Sequence, residues 1–144
     1  MSDPTSASSS PPASERRGVE SHPRLRILIV DDYEDSAEMM GELLEQQGHE
    51  TRIAYSAVSA LEVARAFVPQ VALLDLGMPV VDGTHLAKQL LALPGLSNLR
   101  LVAVTGYGRT EDRDKTLRAG FAAPLLKPVE ADVLLAAVWD GIIA

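Results

Sequence analysis

The stretch Val71-Ala72-Leu73-Leu74-Asp75-Leu76-Gly77-Met78-Pro79 decides the fold. Four apolar residues run straight into an aspartate, and turn residues follow, with Asp82-Gly83 just beyond. A run that short, apolar on both faces and closed by turn formers, reads as a buried parallel strand. It delivers Asp75 to the carboxyl end of that strand, where open α/β sheets place their chemistry. A single acid there is equally well a helix N-cap or a solvated loop residue. What gives Asp75 weight is the set of residues at the corresponding positions elsewhere in the chain.

The chain has 144 residues, enough for one domain, and 47% of them are apolar. The formal net charge of -7 argues against a nucleic-acid surface, which needs clustered Lys and Arg. The same acidity suits a site that collects a cation. With no cysteine, disulfides, thiolate metal sites and thiol catalysis are excluded. No apolar run approaches the roughly 18 residues of a spanning helix, and the N-terminus carries no signal-peptide core. A soluble cytoplasmic protein with no membrane partner is the expectation. Residues 1–23, typified by Ser8-Ser9-Ser10-Pro11-Pro12, hold little to bury and are expected to be a disordered tail, with the folded domain over 24–144.

Within 24–144 the pattern alternates. Strands are expected at Leu25 to Val30, Glu50 to Ala54, Val71 to Leu74, Leu101 to Val104 and Ala122 to Leu126. Helices are expected from Glu34 to Gln47, from Ser56 as N-cap to Phe67, from Thr84 to Leu93, from Thr110 to Ala119, and from Val129 to Ile142. Gly48 reads as the glycine just past the first helix, and the polar second strand as an edge. Five strands alternating with five helices demand an α/β fold: a doubly wound parallel sheet, strand order 2-1-3-4-5, with helices on both faces. Strands 1 and 3 then lie side by side.

The strand ends line up. Strand 1 is followed by Asp31 and Asp32, strand 3 by Asp75, strand 4 by Thr105 and strand 5 by Lys127. Each stands immediately after an apolar run, so all share one rim. Three carboxylates crowded there repel one another and call for a cation; hard oxygen ligands suit Mg²⁺. Asp75 can then act as a nucleophile toward phosphorus. Lys127 can supply an ammonium, and the Thr105 hydroxyl a hydrogen bond, to the transferring oxygens.

These motifs resemble the receiver domain of two-component response regulators. The matching segments are Leu28-Ile29-Val30-Asp31-Asp32, Leu74-Asp75-Leu76-Gly77-Met78-Pro79 with Asp82-Gly83, Val104-Thr105-Gly106, and Leu126-Lys127-Pro128. The resemblance implies the flavodoxin-like receiver fold and phosphorylation of Asp75 by the phosphohistidine of a sensor histidine kinase. It implies Mg²⁺ held by Asp32, Asp75 and the Gly77 carbonyl, with Asp31 acting directly or through water. It further implies a cis peptide between Lys127 and Pro128. Thr105 would move toward the phosphoryl group and relay the change to the face made by the fourth helix, fifth strand and fifth helix. The chain is read as a stand-alone regulator, a monomer or weak dimer. It would not be an enzyme in the usual sense, although it would assist its own phosphorylation and dephosphorylation. Its output would be contact with a downstream protein target, or passage of the phosphoryl group to a histidine phosphotransfer protein. A receiver that only drains phosphate from a kinase is the alternative within the family.

One position departs from the pattern. Receivers often carry an aromatic or histidine three residues before the lysine; here that residue is Pro124, with no rotating ring and no backbone donor. Phe121 and Tyr107 are the nearby rings. Other folds with acids at strand ends are disfavoured. A flavodoxin-type cofactor binder needs a phosphate-cradling loop where this chain has two aspartates. A P-loop signature is absent. A phosphatase of the haloacid dehalogenase type would need a second aspartate two residues after Asp75, where Gly77 stands. His22, His49 and His85 share no spacing and read as surface residues. Met39 and Met40 read as packing on the first helix, and Trp139 as either a core anchor or part of a partner surface.

Overall fold

The computed structural model describes residues 24–78, 82–106, 118 and 120–139. Within them the order is β1 (Arg26–Val30), α1 (Glu34–Gln46), β2 (Glu50–Ala54), α2 (Ala57–Phe67), β3 (Val71–Asp75), α3 (Gly83–Leu91), β4 (Arg100–Thr105), β5 (Phe121–Leu126) and α4 (Ala131–Trp139). The tail over 1–23, Tyr107, the helix expected over 110–119 and the end of the last helix lie outside the described residues.

All the strand pairs are parallel, and the sheet order is β2-β1-β3-β4-β5, as the alternation requires. Each central strand is apolar on both faces because helices cover both. Leu28, Val30, Ala72, Leu74, Leu101 and Ala103 face a core closed by Ala60 and Ala64 of α2 and by Leu86, Ala87 and Leu90 of α3. Ile27, Ile29, Val71, Leu73, Val102 and Val104 face the opposite core, closed by Ala37, Met40 and Leu44 of α1 and by Leu134 and Val138 of α4. The period-two alternation along each strand divides the residues between these two cores.

The helix ends follow local chemistry. Ser56 accepts a hydrogen bond from the Ser59 amide at 3.1 Å, capping α2. Asp82 does the same for α3, accepting from the Thr84 amide. Gly48 has φ of 93° just past α1, a conformation that a side chain resists. The Lys127–Pro128 peptide is cis.

One expectation is overturned. His49 is not a surface residue: it is buried, with 3% of its surface exposed. Its Nδ1 accepts the Leu25 amide at 3.1 Å, and its ring lies 4.8 Å from that of Trp139. Position in a turn suggested exposure, but the start of β1 and the end of α4 close over this turn. Trp139 is half-buried against it, between core and surface. His85 is exposed, as expected.

Replacing Ser56 by Ala is expected to lower stability by about 1 kcal/mol, the usual worth of an N-cap hydroxyl, read as a lower urea midpoint with unchanged slope.

Candidate functional site

The sheet order brings the chemistry to one rim. β1 and β3 are neighbours, with Val30 level with Leu74, so Asp31 and Asp75 emerge side by side. Asp75 is level with Val104 on β4, which places Thr105 one step beyond. Thr105 is level with Leu126 on β5, and the Lys127 amide donates to the Thr105 carbonyl at 2.8 Å. Asp31, Asp32, Asp75, Thr105 and Lys127 are therefore placed by the ends of four adjacent strands.

Backbone amides hold the carboxylates. The Asp31 amide donates to the Ala54 carbonyl, and Asp31 Oδ1 accepts the Tyr33 amide at 3.0 Å. Asp75 Oδ1 accepts the Gly77 amide at 2.8 Å, which folds the Leu76-Gly77 turn over the acid. Gly83 lies close by: a Cβ there would collide with Leu76 Cδ2. Asp31 and Thr105 are buried, Asp75 is only 9% exposed, and Asp32 faces solvent.

Lys127 joins two of these acids. Its Nζ is 2.7 Å from Asp31 Oδ2 and 3.2 Å from Asp75 Oδ2. The buried Asp31 Oδ2 has the Lys127 ammonium as its close partner. One carboxylate oxygen from each of Asp31, Asp32 and Asp75 lies within 4.8 Å of the others. Three acids against one ammonium leave the cluster with a negative excess. Together with the all-oxygen donor set, this suits a small hard cation.

Burial pushes the Asp75 carboxyl above its ordinary value, and the negative charge of Asp31 adds to the rise. The Gly77 amide and the Lys127 ammonium oppose it without cancelling it. Burial alone would lower Lys127, but its bonds and attraction to Asp31 and Asp75 together outweigh it, and the ammonium is held above the usual lysine value. The Lys127 contribution therefore persists through neutral pH and is lost only in alkaline solution, as pH rises through the raised value.

Pro124 sits in β5 where the pairing with β4 shifts. Ala122 is level with Val102 and Leu125 with Val104, so Ala103 stands against both Ala123 and Pro124. A residue without an amide proton is tolerated at such a bulge. Phe121 is buried and level with Leu101, at the far end of β5 from Thr105. It does not neighbour the site. What the pattern of apolar residues understated is an apolar wall beside the acids. Tyr33 and Met39 are 61% and 47% exposed, next to Pro128 and Val129 across a groove that Lys127 also lines. The methionine pair at 39–40 was the signal for it: Met40 is buried in the core, and Met39 is left outside.

The model of the family described as the response regulator receiver domain matches residues 27–139. An uncharacterised 14.6 kDa protein of Leptolyngbya boryana is 36% identical over 107 residues, 74% of this chain and 82% of that protein. The polar-differentiation response regulator DivK of Brucella ovis is 30% identical over 103 residues, covering 72% of this chain and 84% of that one. Among solved structures, a CheY-like response regulator receiver domain protein from Methanospirillum hungatei is similar with a TM-score of 0.74 and 30% identity. That match covers 84% of this chain and 95% of the other.

Because burial raises the Asp75 carboxyl, its ionisation costs folded stability. The favourable contribution of the protonated acid is lost as pH rises from the ordinary carboxylate range through the raised value. In metal-free buffer Asp75→Asn is therefore expected to unfold at a higher urea concentration than the parent at neutral pH. The advantage should vanish below the ordinary carboxylate range. A lower midpoint for the variant at neutral pH would mean that the Lys127 ion pair outweighs burial.

Proposed function

Because the chain belongs to the response regulator receiver family, we propose that Asp75 is its phosphoacceptor and that phosphorylation there by a sensor histidine kinase is its input. Receiver domains are phosphoaccepting signalling domains and bind Mg²⁺ at an acidic pocket. The single observation that supports Asp75 most is the Lys127 ammonium bridging it to Asp31 at adjoining strand ends.

In the proposed reaction a carboxylate oxygen of Asp75 attacks phosphorus as the phosphorus–nitrogen bond of the donor imidazole breaks. Lys127 offsets charge on the phosphoryl oxygens, and the Thr105 hydroxyl donates to one of them. Asp31, Asp32 and Asp75, with the Gly77 carbonyl, would hold Mg²⁺, which supplies further positive charge to the same oxygens. The fixed amides of Tyr33 and Gly77 keep Asp31 and Asp75 oriented, so little reorganisation is needed at the moment of transfer.

The output is contact with a downstream protein or with a histidine phosphotransfer protein, in the cytoplasm, by a monomer or weak dimer. No helix among the described residues is long and apolar enough to cross a membrane. With Pro124 three residues before the lysine, the change at the site passes to β5 by a route other than a turning ring. The direct link on hand is the Lys127 amide on the Thr105 carbonyl.

Incubation with acetyl phosphate and Mg²⁺ is expected to add one phosphoryl group to the parent chain, read by intact mass. No adduct is expected on Asp75→Asn or without Mg²⁺. An adduct that survives Asp75→Asn would refute the assignment. Mg²⁺ alone is expected to raise the melting temperature of the parent, by about 2.7 kcal/mol of stabilisation at a hundredfold excess over its dissociation constant. The rise should be smaller for Asp75→Asn.

A further inference from the structure

His49 is a buried titratable group at the opposite end of the sheet from the acids, and the chemistry proposed for Asp75 does not use it. β1 and β2 pair from Arg26 and Glu50 onward, and the Glu50 amide donates to the Leu25 carbonyl at 2.9 Å. The amide of the same leucine is taken by a side chain: His49 Nδ1 accepts it at 3.1 Å, in a buried position. Only a ring unprotonated at Nδ1 can accept that bond. The ring also lies 4.8 Å from that of Trp139 at the end of α4, tilted by 57°. An indole attracts an imidazolium, so this contact survives protonation while the Leu25 bond does not. Among the described residues, the charged groups lining the cleft beside the ring are Arg24 ahead of β1, Glu45 in the last turn of α1 and Glu50 at the start of β2. Glu45 accepts the Thr51 hydroxyl at 2.6 Å, and Glu50 pairs with Arg52 at 3.1 Å. Two carboxylates against one guanidinium favour a charged ring once it has turned from Leu25.

We propose that His49 is a proton-operated latch on the start of β1. The neutral ring holds the Leu25 amide and so fastens β1 to the turn between α1 and β2. On taking up one proton at Nδ1 it drops that bond and keeps its contact with Trp139. The amide left behind is buried, so the start of β1 opens to let water reach it. The latch is closed at neutral and alkaline pH and opens as pH falls through the ionisation of His49. The inference stands independently of the reading of Asp75 as phosphoacceptor.

The test uses the full chain, in which Trp139 is the single tryptophan and so reports on the latch. An imidazolium quenches a neighbouring indole more strongly than a neutral ring does. Trp139 emission is therefore expected to fall in a one-proton step on acidification from about pH 8 to about pH 5. The His49 ring signals in NMR should titrate with the same midpoint. Over the same step the protection factor of the Leu25 amide against hydrogen exchange should fall about tenfold, the loss of one hydrogen bond. His49→Asn offers a neutral amide oxygen near the Nδ1 position at every pH. In that variant Leu25 should stay protected and Trp139 emission should stay flat. Steady emission and steady Leu25 protection while the His49 ring titrates would overturn the latch. So would a ring that stays neutral until the whole chain unfolds, or an acid step in His49→Asn equal to that of the parent.

Discussion

Lys127 holds its ammonium between Asp31 and Asp75, and the arrangement of the rim depends on that bridge. Two acids from neighbouring strands, both largely out of water, would otherwise repel across a short gap in a medium of low polarity. Lys127, two strands from Asp75 and three from Asp31, is set at the same rim by the strand order and by the tie of its amide to Thr105. The sheet order, the register and the ion pair are thus one constraint. A slip of one residue in any of these strands would turn its acid or base toward the wrong face.

The balance is deliberately incomplete in chemical terms. One ammonium faces three carboxylates, whose nearest oxygens lie within 4.8 Å of one another. An arrangement optimised for stability alone would replace such a cluster by apolar packing. An uncompensated charge of this kind concentrates at functional sites, and a cluster of three carboxylates is one that could hold a cation. The two apolar cores, on opposite faces of the sheet, supply the stability that the rim gives up.

The apolar wall and the proline at position 124 distinguish this rim from a purely polar one. Pro124 occupies a point where β5 carries one residue more than β4, so its missing amide proton disturbs no regular pairing. The link from Thr105 to the end of β5 is a backbone one, the Lys127 amide on the Thr105 carbonyl. On the other side of Lys127, exposed Tyr33 and Met39 give the approach to the acids an apolar surface.

Much of this was legible in the residues themselves. Apolar runs ending in Asp31, Asp75, Thr105 and Lys127 specified both the strands and the rim, because a strand buried on both faces has no other composition. Gly48, Ser56 and Pro69 marked helix boundaries through local backbone chemistry that needs no tertiary partner. Other features required the folded chain. Burial of His49 arises where the start of β1 and the end of α4 meet a turn, and no local pattern records that meeting. Exclusion of Phe121 from the site follows from its register with Leu101, a relation between strands far apart in sequence. The 2.7 Å and 3.2 Å contacts of Lys127, and the raised Asp75 carboxyl they fail to offset, likewise depend on distances across the sheet from β1 to β5. The sequence by itself determined that Asp31, Asp32, Asp75, Thr105 and Lys127 stand at the carboxyl ends of their strands, since periodicity and turn chemistry are local. Only the tertiary structure decided how strongly they interact, because burial and charge separation are properties of elements packed together.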